Sequence, residues 1–133
     1  MTPQRNNILV VDDEPVIVES ARKILSAEGY VVRTANTAES ALSMLRDEAP
    51  DIALVDLKLP ELSGMDLLGI VKKEFPHMGV IVMTGYTTEE NALAAMQNGA
   101  VAFLPKPFSF EELLSAIQRA SQLANVPLEQ RNT

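Results

Sequence analysis

The sequence predicts one α/β domain, in which five parallel strands form a single sheet with helices on both of its faces. Short apolar runs alternate five times with longer amphipathic segments, and this alternation implies a parallel sheet with right-handed crossovers. Polar reactive side chains stand at the ends of four of the runs, where open α/β sheets place their ligand sites. The length of 133 residues suits one domain.

The predicted strands are short runs rich in valine, isoleucine and leucine. Nearly continuous apolarity over so few residues indicates strands that are covered on both faces. The second run alternates apolar and polar residues, so we expect it at the edge of the sheet. The five runs are residues 7–12, 31–35, 52–56, 79–84 and 101–104.

The first three helices are predicted from apolar stripes with clear stop or start signals. The first, near residues 15–28, is followed by Gly29, which is typical of a helix end. The second begins after Thr37, a suitable N-cap residue. The third lies near residues 64–75 and ends before Pro76, because proline cannot continue a helix.

Capping-box spacing marks the starts of the last two helices. Thr87 is followed three residues later by Glu90, and Ser109 is followed in the same way by Glu112. The fourth helix is predicted to end at Gly99.

The domain is expected to occupy residues 6–124, because no linker or low-complexity stretch divides this part of the chain. Residues 1–5 are predicted to be an N-terminal tail. Residues 125–133 are polar, contain Pro127, and are expected to form a C-terminal tail or the start of a linker.

Composition excludes several classes of function. The formal net charge is −7 and the 11 basic residues are scattered, so we expect no direct nucleic-acid binding by this domain. The chain has no cysteine, which excludes disulfides and thiol chemistry and fits a reducing compartment. No apolar run reaches membrane-spanning length and no signal-peptide core is present. We therefore expect a cytoplasmic protein without a membrane partner.

Five polar residues share a position relative to the predicted strands. Asp12 and Asp13 follow the first strand, Asp56 ends the third, Thr84 ends the fourth, and Lys106 follows the fifth. In a parallel sheet these side chains meet at the carboxyl edge. Carboxylates clustered there must hold a cation or change their ionisation.

Each of these residues also has a purely structural interpretation. Asp12 or Asp13 could be the N-cap of the first helix, and Asp56 could cap the turn that follows it. Thr84 could be a turn residue, and Lys106 could be a solvated surface lysine. The joint occurrence of all five at the same end of the strands favours one functional site.

These motifs resemble those of response regulator receiver domains, the phosphoacceptor domains of two-component signalling. The resemblance spans residues 6–124 and implies a flavodoxin-like, doubly wound (βα)5 sheet of strand order 2-1-3-4-5. The matching segments are residues 10–14, 55–60 with Gly64, 83–85 and 103–108.

The resemblance implies that Asp56 accepts the phosphoryl group. It also implies that Asp12, Asp13, Asp56 and the backbone carbonyl of Lys58 hold one Mg²⁺ ion. Mg²⁺ prefers oxygen ligands in octahedral geometry and bridges to phosphoryl oxygens. It would remove the repulsion among three carboxylates and neutralise charge during phosphoryl transfer.

Further roles also follow from the resemblance. Thr84 is expected to bond one phosphoryl oxygen and Lys106 to pair with another, with a candidate cis peptide between Lys106 and Pro107. Phe103 occupies the position of a rotameric switch, although an aromatic residue on a buried strand is more often part of the core.

Three residues are expected to flank the phosphoryl site. Gly85 is the small residue beside it. Lys58 and Tyr86 occupy two variable positions that border the path of the attacking water, and there they would slow hydrolysis. In the alternative interpretation, both long side chains point into solvent and do not affect the water.

The function implied by the resemblance is a phosphorylation-activated switch. A histidine kinase, a phosphotransfer protein or a small phosphodonor would phosphorylate Asp56. The domain would contribute only weak self-catalysed phosphorylation and dephosphorylation, and would not act as an enzyme that releases a product. The surface of the fourth helix, fifth strand and fifth helix would then change its affinity for a partner, such as a second copy of the chain.

Transcription regulation is the expected output, because residues 84–86 and the tail resemble amino-terminal receivers of transcription regulators. The alternative is a stand-alone receiver, or the receiver of a hybrid kinase, that acts through protein–protein contacts only. A degenerate receiver that only dimerises is disfavoured by the intact set of five residues. A flavin-binding protein or a haloacid-type hydrolase is disfavoured because Asp-Asp-Glu-Pro follows the first strand.

Overall fold

Strands and helices alternate five times along the chain, as the sequence predicts. The structure, a computed structural model, describes residues 7–59, 62–85 and 89–124. The strands are β1 (Asn7–Val11), β2 (Val31–Ala35), β3 (Ile52–Asp56), β4 (Gly79–Thr84) and β5 (Ala102–Pro105). The helices are α1 (Pro15–Ala27), α2 (Ala38–Asp47), α3 (Gly64–Glu74), α4 (Glu89–Gln97) and α5 (Phe110–Ala124).

All five strands are parallel and lie in the order β2-β1-β3-β4-β5, which confirms the predicted topology. The strand β2 lies at one edge of the sheet, also as predicted. This order places β1 beside β3, and the register pairs Asp56 with Met83 and Thr84 with Pro105. The carboxyl ends of β1, β3, β4 and β5 therefore lie along one edge of the sheet.

Two hydrophobic clusters cover opposite faces of the sheet. Successive strand residues point to opposite faces, so Leu54 belongs to one cluster and Val55 to the other. Helices α1 and α5 pack on the face of Leu54, and α2, α3 and α4 pack on the face of Val55. All five residues of β3 are buried, which explains why its sequence is apolar without alternation.

The predicted helix signals act as expected at the described helix ends. The hydroxyl of Thr37 accepts a hydrogen bond from the Ser40 N–H at 3.0 Å. Ser109 and Glu112 form the predicted capping box, with reciprocal bonds of 3.0 and 2.8 Å. Gly29 and Gly99 end their helices with φ of 95° and 104°, a region that favours glycine.

Several predicted boundaries differ from the structure by one residue. Strand β1 ends at Val11, β5 is displaced by one position to Ala102–Pro105, α1 ends at Ala27 and α3 ends at Glu74. The predicted start of α4 at Thr87 lies outside the described residues, as do Pro60, Tyr86 and the two predicted tails. In the described part of the chain, no helix is both long and apolar enough to cross a bilayer.

Candidate functional site

The carboxyl edge of the sheet brings together the predicted site residues. Asp12 follows β1, Asp56 ends β3, Thr84 ends β4 and Lys106 follows β5. Asp12, Asp56 and Thr84 are 0, 3 and 1% exposed, and they are the buried polar residues of the described chain. A charge buried without a partner is costly, so the two carboxylates require a cation.

Lys106 supplies the positive charge within the site. Its Nζ lies 2.9 Å from Asp12 Oδ2, 2.7 Å from Glu14 Oε1 and 3.4 Å from Asp56 Oδ2. Burial lowers the pKa of Lys106, but the hydrogen bonds to Glu14 and Asp12 and the charges of Asp12 and Asp56 outweigh it. The pKa is raised above its ordinary value, so the ammonium stays protonated at neutral pH.

Asp56 is less well compensated than Asp12. Its Oδ1 accepts a hydrogen bond from the Lys58 backbone N–H at 3.1 Å. Burial raises the pKa of Asp56, the Lys58 N–H lowers it, the charge of Asp12 raises it, and Lys106 lowers it; the net effect is a raised pKa. The ionised Asp56 carboxylate is therefore unfavourable in the protein without a metal.

The three predicted carboxylates fit a divalent cation. One oxygen from each of Asp12, Asp13 and Asp56 can be chosen so that all three lie within 4.8 Å of one another. The donor set contains only carboxylate oxygens, which suits Mg²⁺. Asp13 is exposed and, together with Asp12 and Asn36, lines a groove of about 390 Å³.

Residues 8–118 match the family described as response regulator receiver domain. The chain belongs to this family. Receiver domains bind Mg²⁺ through acidic residues, in agreement with the carboxylate cluster at the edge of the sheet.

Two curated relatives show how much of a longer protein the receiver represents. The DNA-binding transcriptional regulator NtrC of Proteus hauseri is 38% identical over 117 residues, which cover 88% of this chain and 25% of that protein. The nitrogen assimilation regulatory protein NtrX of Azorhizobium caulinodans is 37% identical over 128 residues, which cover 95% of this chain and 28% of that protein. The chain thus spans about a quarter of the length of these relatives.

Solved receiver structures have the same fold. The receiver domain of NtrX from Brucella abortus is 39% identical with a TM-score of 0.83, and the match covers 87% of this chain and 98% of that one. The beryllofluoride-activated NtrC4 receiver domain dimer is 35% identical with a TM-score of 0.85, and the match covers 89% of this chain and 98% of that one.

The loop after β3 of the receiver is anchored at both ends. The Leu57 N–H donates to the Met83 carbonyl at 2.9 Å, and the Gly64 N–H donates to the Leu57 carbonyl at 2.9 Å. A Cβ on Gly64 would lie 2.6 Å from Leu57 Cα and closer still to the Asp56 carbonyl oxygen. Only glycine fits here, and its close approach fixes the backbone that carries Asp56.

The ends of β4 and β5 are also joined. The Lys106 N–H donates to the Thr84 carbonyl at 2.8 Å, and the peptide bond between Lys106 and Pro107 is cis, as predicted. Gly85 is exposed, and a Cβ there would meet no described atom within 4 Å.

Phe103 is half-buried. It packs against the hydrophobic cluster on the α2–α4 face. It also lines a groove of about 560 Å³ with Met96 of α4 and Arg119 of α5. Both interpretations of Phe103 therefore have a structural basis, since the ring combines core contacts with access to an open groove.

The sequence analysis missed the contact between Glu14 and Lys106. Glu14 is the N-cap of α1, so the interpretation of Asp12 or Asp13 as the N-cap is wrong. Asp12 has other partners: its Oδ1 accepts the Glu14 N–H at 2.9 Å and its Oδ2 contacts Lys106. The only signal in the sequence was a third acidic residue directly after the Asp12–Asp13 pair.

Gly64→Ala should destabilise the receiver by at least about 1–3 kcal/mol, the usual cost of overpacking. The matched control is Gly69→Ala in α3, where a Cβ meets nothing within 4 Å. That change should stabilise by about 0.5–1 kcal/mol, because alanine favours helix. Urea unfolding measures both, and equal effects of the two substitutions would contradict the close approach at residue 64.

Asp56→Asn should raise the melting temperature of the metal-free protein at pH 7, by a shift on the order of a few degrees. Because the folded pKa of Asp56 is raised above 3.8, the stability linked to its proton is present below 3.8. It is lost as the pH rises through the folded value. The advantage of the variant should therefore shrink toward pH 4, and also when Mg²⁺ is added.

Calorimetry at both pH values measures this difference. Asp13→Asn removes the same charge from the exposed member of the cluster and should shift the melting temperature less. An Asp56→Asn protein that melts below wild type at pH 7 without metal would show that the ionised Asp56 carboxylate does not destabilise the fold.

Proposed function

We propose that Asp56 of this receiver is the phosphoacceptor, and that a histidine kinase, a phosphotransfer protein or a small phosphodonor supplies the phosphoryl group. The observation that carries the proposal is the buried Asp56 carboxylate, which stands beside Asp12 and within 3.4 Å of the Lys106 ammonium. Membership of the receiver family supports the same assignment.

In the transfer step, an oxygen of Asp56 forms a bond to phosphorus while the bond from phosphorus to the donor breaks. The leaving group retains the electron pair of that bond. Asp12, Asp13, Asp56 and the Lys58 carbonyl would hold Mg²⁺. When bound, Mg²⁺ supplies positive charge that neutralises the charge developing on the phosphoryl group.

Residues of the chain orient the product. Lys106 would pair with one phosphoryl oxygen, and the buried Thr84 at the end of β4 would bond another through its hydroxyl. The same groups support weak self-catalysed phosphorylation and dephosphorylation. Lys58 is exposed beside Asp56, and with Tyr86, whose structure is not described, it would hinder the attacking water.

Acetyl phosphate and Mg²⁺ should add one phosphoryl group to the wild type, at Asp56. The other buried carboxylate of the described chain, Asp12, has both oxygens in short contacts, with the Glu14 N–H and with Lys106 at 2.9 Å, whereas Asp56 Oδ2 lies 3.4 Å from Lys106. Intact-mass and peptide mass spectrometry measure the increment and its site. The Asp56→Asn variant should show no incorporation, whereas Asp66→Asn, a matched exposed aspartate on α3, should react like wild type. Incorporation at the wild-type level in Asp56→Asn would exclude the assignment.

The output surface that we propose consists of α4, β5 and α5. It adjoins the site because Lys106 directly follows β5 and its N–H bonds the Thr84 carbonyl. The groove lined by Phe103 lies between α4 and α5. On α4 and α5, Leu93, Met96 and Phe110 are 59, 40 and 46% exposed, which leaves apolar area for a partner.

A homodimer is a partner state that a similar structure supports, and we propose that it forms through this surface. The matching NtrC4 receiver was solved as a beryllofluoride-activated dimer. Relatives named as transcriptional regulators support transcription control as the output of a longer protein. A stand-alone receiver or a hybrid kinase receiver would use the same surface for protein contacts only.

Beryllium fluoride with Mg²⁺ should shift the backbone NMR signals of α4, β5 and α5, including Phe103, and should increase dimerisation measured by ultracentrifugation. The physical reason is that Lys106 and Thr84 would close on the bound anion and move the strand ends that they belong to. Asp56→Asn provides the control and should respond weakly or not at all. Shifts confined to α1 and α2 would rule out this output surface.

A further inference from the structure

Glu14 is held in an unusual position at the start of α1. Its N–H donates to Asp12 Oδ1 at 2.9 Å, and its carbonyl accepts hydrogen bonds from Ile17 and Val18 at 3.1 Å. Although Glu14 is the N-cap, its side chain makes no capping bond. The carboxylate reaches across the site instead, and Oε1 lies 2.7 Å from Lys106 Nζ.

The Lys106 ammonium is therefore turned toward β1 and α1. Its contacts with Asp12 and Glu14, at 2.9 and 2.7 Å, are within ordinary hydrogen-bond length. Its distance to Asp56 Oδ2 is 3.4 Å, longer than an ordinary bond of this kind. A phosphoryl group on Asp56 would need the same ammonium. The side chains of Asp12 and Glu14 would therefore compete with the phosphoryl group for Lys106.

We propose that Glu14 is a positioning residue that holds Lys106 away from Asp56 and thereby opposes phosphorylation of the receiver. The proposal rests on the phosphoacceptor role of Asp56. Glu14 differs from Asp12 because it lies outside the three-carboxylate cluster. A cation bound to that cluster would engage Asp12 but would not require Glu14 as a ligand, so Glu14 would be the competitor for Lys106 in the metal-loaded protein.

The size of the effect follows from the exposure of the pair. The side chain of Glu14 is 60% exposed, whereas that of Lys106 is 10% exposed. Solvent screens such a pair, and exposed ion pairs commonly change an equilibrium by about two- to fivefold. Loss of the Glu14 charge should raise the affinity for beryllium fluoride, and the rate of acetyl phosphate labelling, by about this factor.

The experiment compares Glu14→Gln with Glu19→Gln at saturating Mg²⁺. Glutamine keeps the shape of the side chain and removes its charge. Glu19 is the matched control because it lies on the same helix and pairs with Arg22, away from the site. We expect a higher affinity for beryllium fluoride and faster acetyl phosphate labelling in Glu14→Gln only. A Glu14→Gln protein that matches wild type in both measurements would overturn the proposal.

A double-mutant cycle tests whether Glu14 acts through Lys106. In a Lys106→Met background, Glu14→Gln should have no further effect on labelling or on beryllium fluoride binding. A gain that persists there would mean that the Glu14 charge repels the phosphodonor directly, which contradicts a positioning role. If the Lys106→Met protein shows neither labelling nor binding, a second measurement decides whether Glu14 positions Lys106. In metal-free proteins that retain Lys106, its side-chain NMR signal must shift in Glu14→Gln and stay in place in Glu19→Gln.

This design separates the two proposals. Absence of labelling in the wild type would count against Asp56 as phosphoacceptor. Normal labelling of the wild type, with no change in Glu14→Gln, would count only against the role of Glu14.

Discussion

One lysine ammonium compensates the buried negative charge at the carboxyl edge of the sheet. Lys106 contacts Asp12, Glu14 and Asp56, which come from the ends of β1 and β3 and the start of α1. Removing one partner of a buried ion pair commonly costs about 3–5 kcal/mol, because the other charge stays buried. The positions of three strand ends, those of β1, β3 and β5, are therefore linked to the geometry of a single side chain.

The compensation of the buried negative charge is incomplete at Asp56. Asp12 is fully engaged by the Glu14 N–H and Lys106, whereas burial outweighs the partners of Asp56 and leaves its pKa raised. A site whose charges were fully compensated without a ligand would be stabilised little by a cation or a phosphoryl group. A cation held by the three carboxylates would relieve the repulsion among them, so ligand binding and folding stability would be linked at the same atoms.

Local signals allowed the sequence to predict the fold and the composition of the site. Continuous apolar runs marked the strands, and Thr37, Ser109 and Gly29 marked helix ends through contacts within a few residues. Parallel topology then implied that the side chains at the strand ends meet. The roles of Asp56, Thr84 and Lys106 came from the resemblance to receivers and stay predictions.

Contacts between distant residues were less accessible to the sequence analysis. Glu14 and Lys106 are 92 positions apart, and nothing local indicates which way a long exposed side chain leans. The close approach of Gly64 to Leu57 was also hidden, although that glycine was part of the matching motif.

The anchored loop after β3 has a consequence for protein engineering. Its two ends are fixed by the bonds from Leu57 to Met83 and from Gly64 to Leu57, and the Ser63 hydroxyl caps α3 by accepting the Asp66 N–H. Between these anchors, the side chain of Lys58 is exposed beside Asp56, whereas Leu59 is buried in the core. A set of substitutions at Lys58 that keeps residues 57, 59, 63 and 64 would vary the surroundings of the Asp56 carboxylate. The strand that presents this carboxylate would keep its anchors, so altered donor selectivity could be sought without redesigning the sheet.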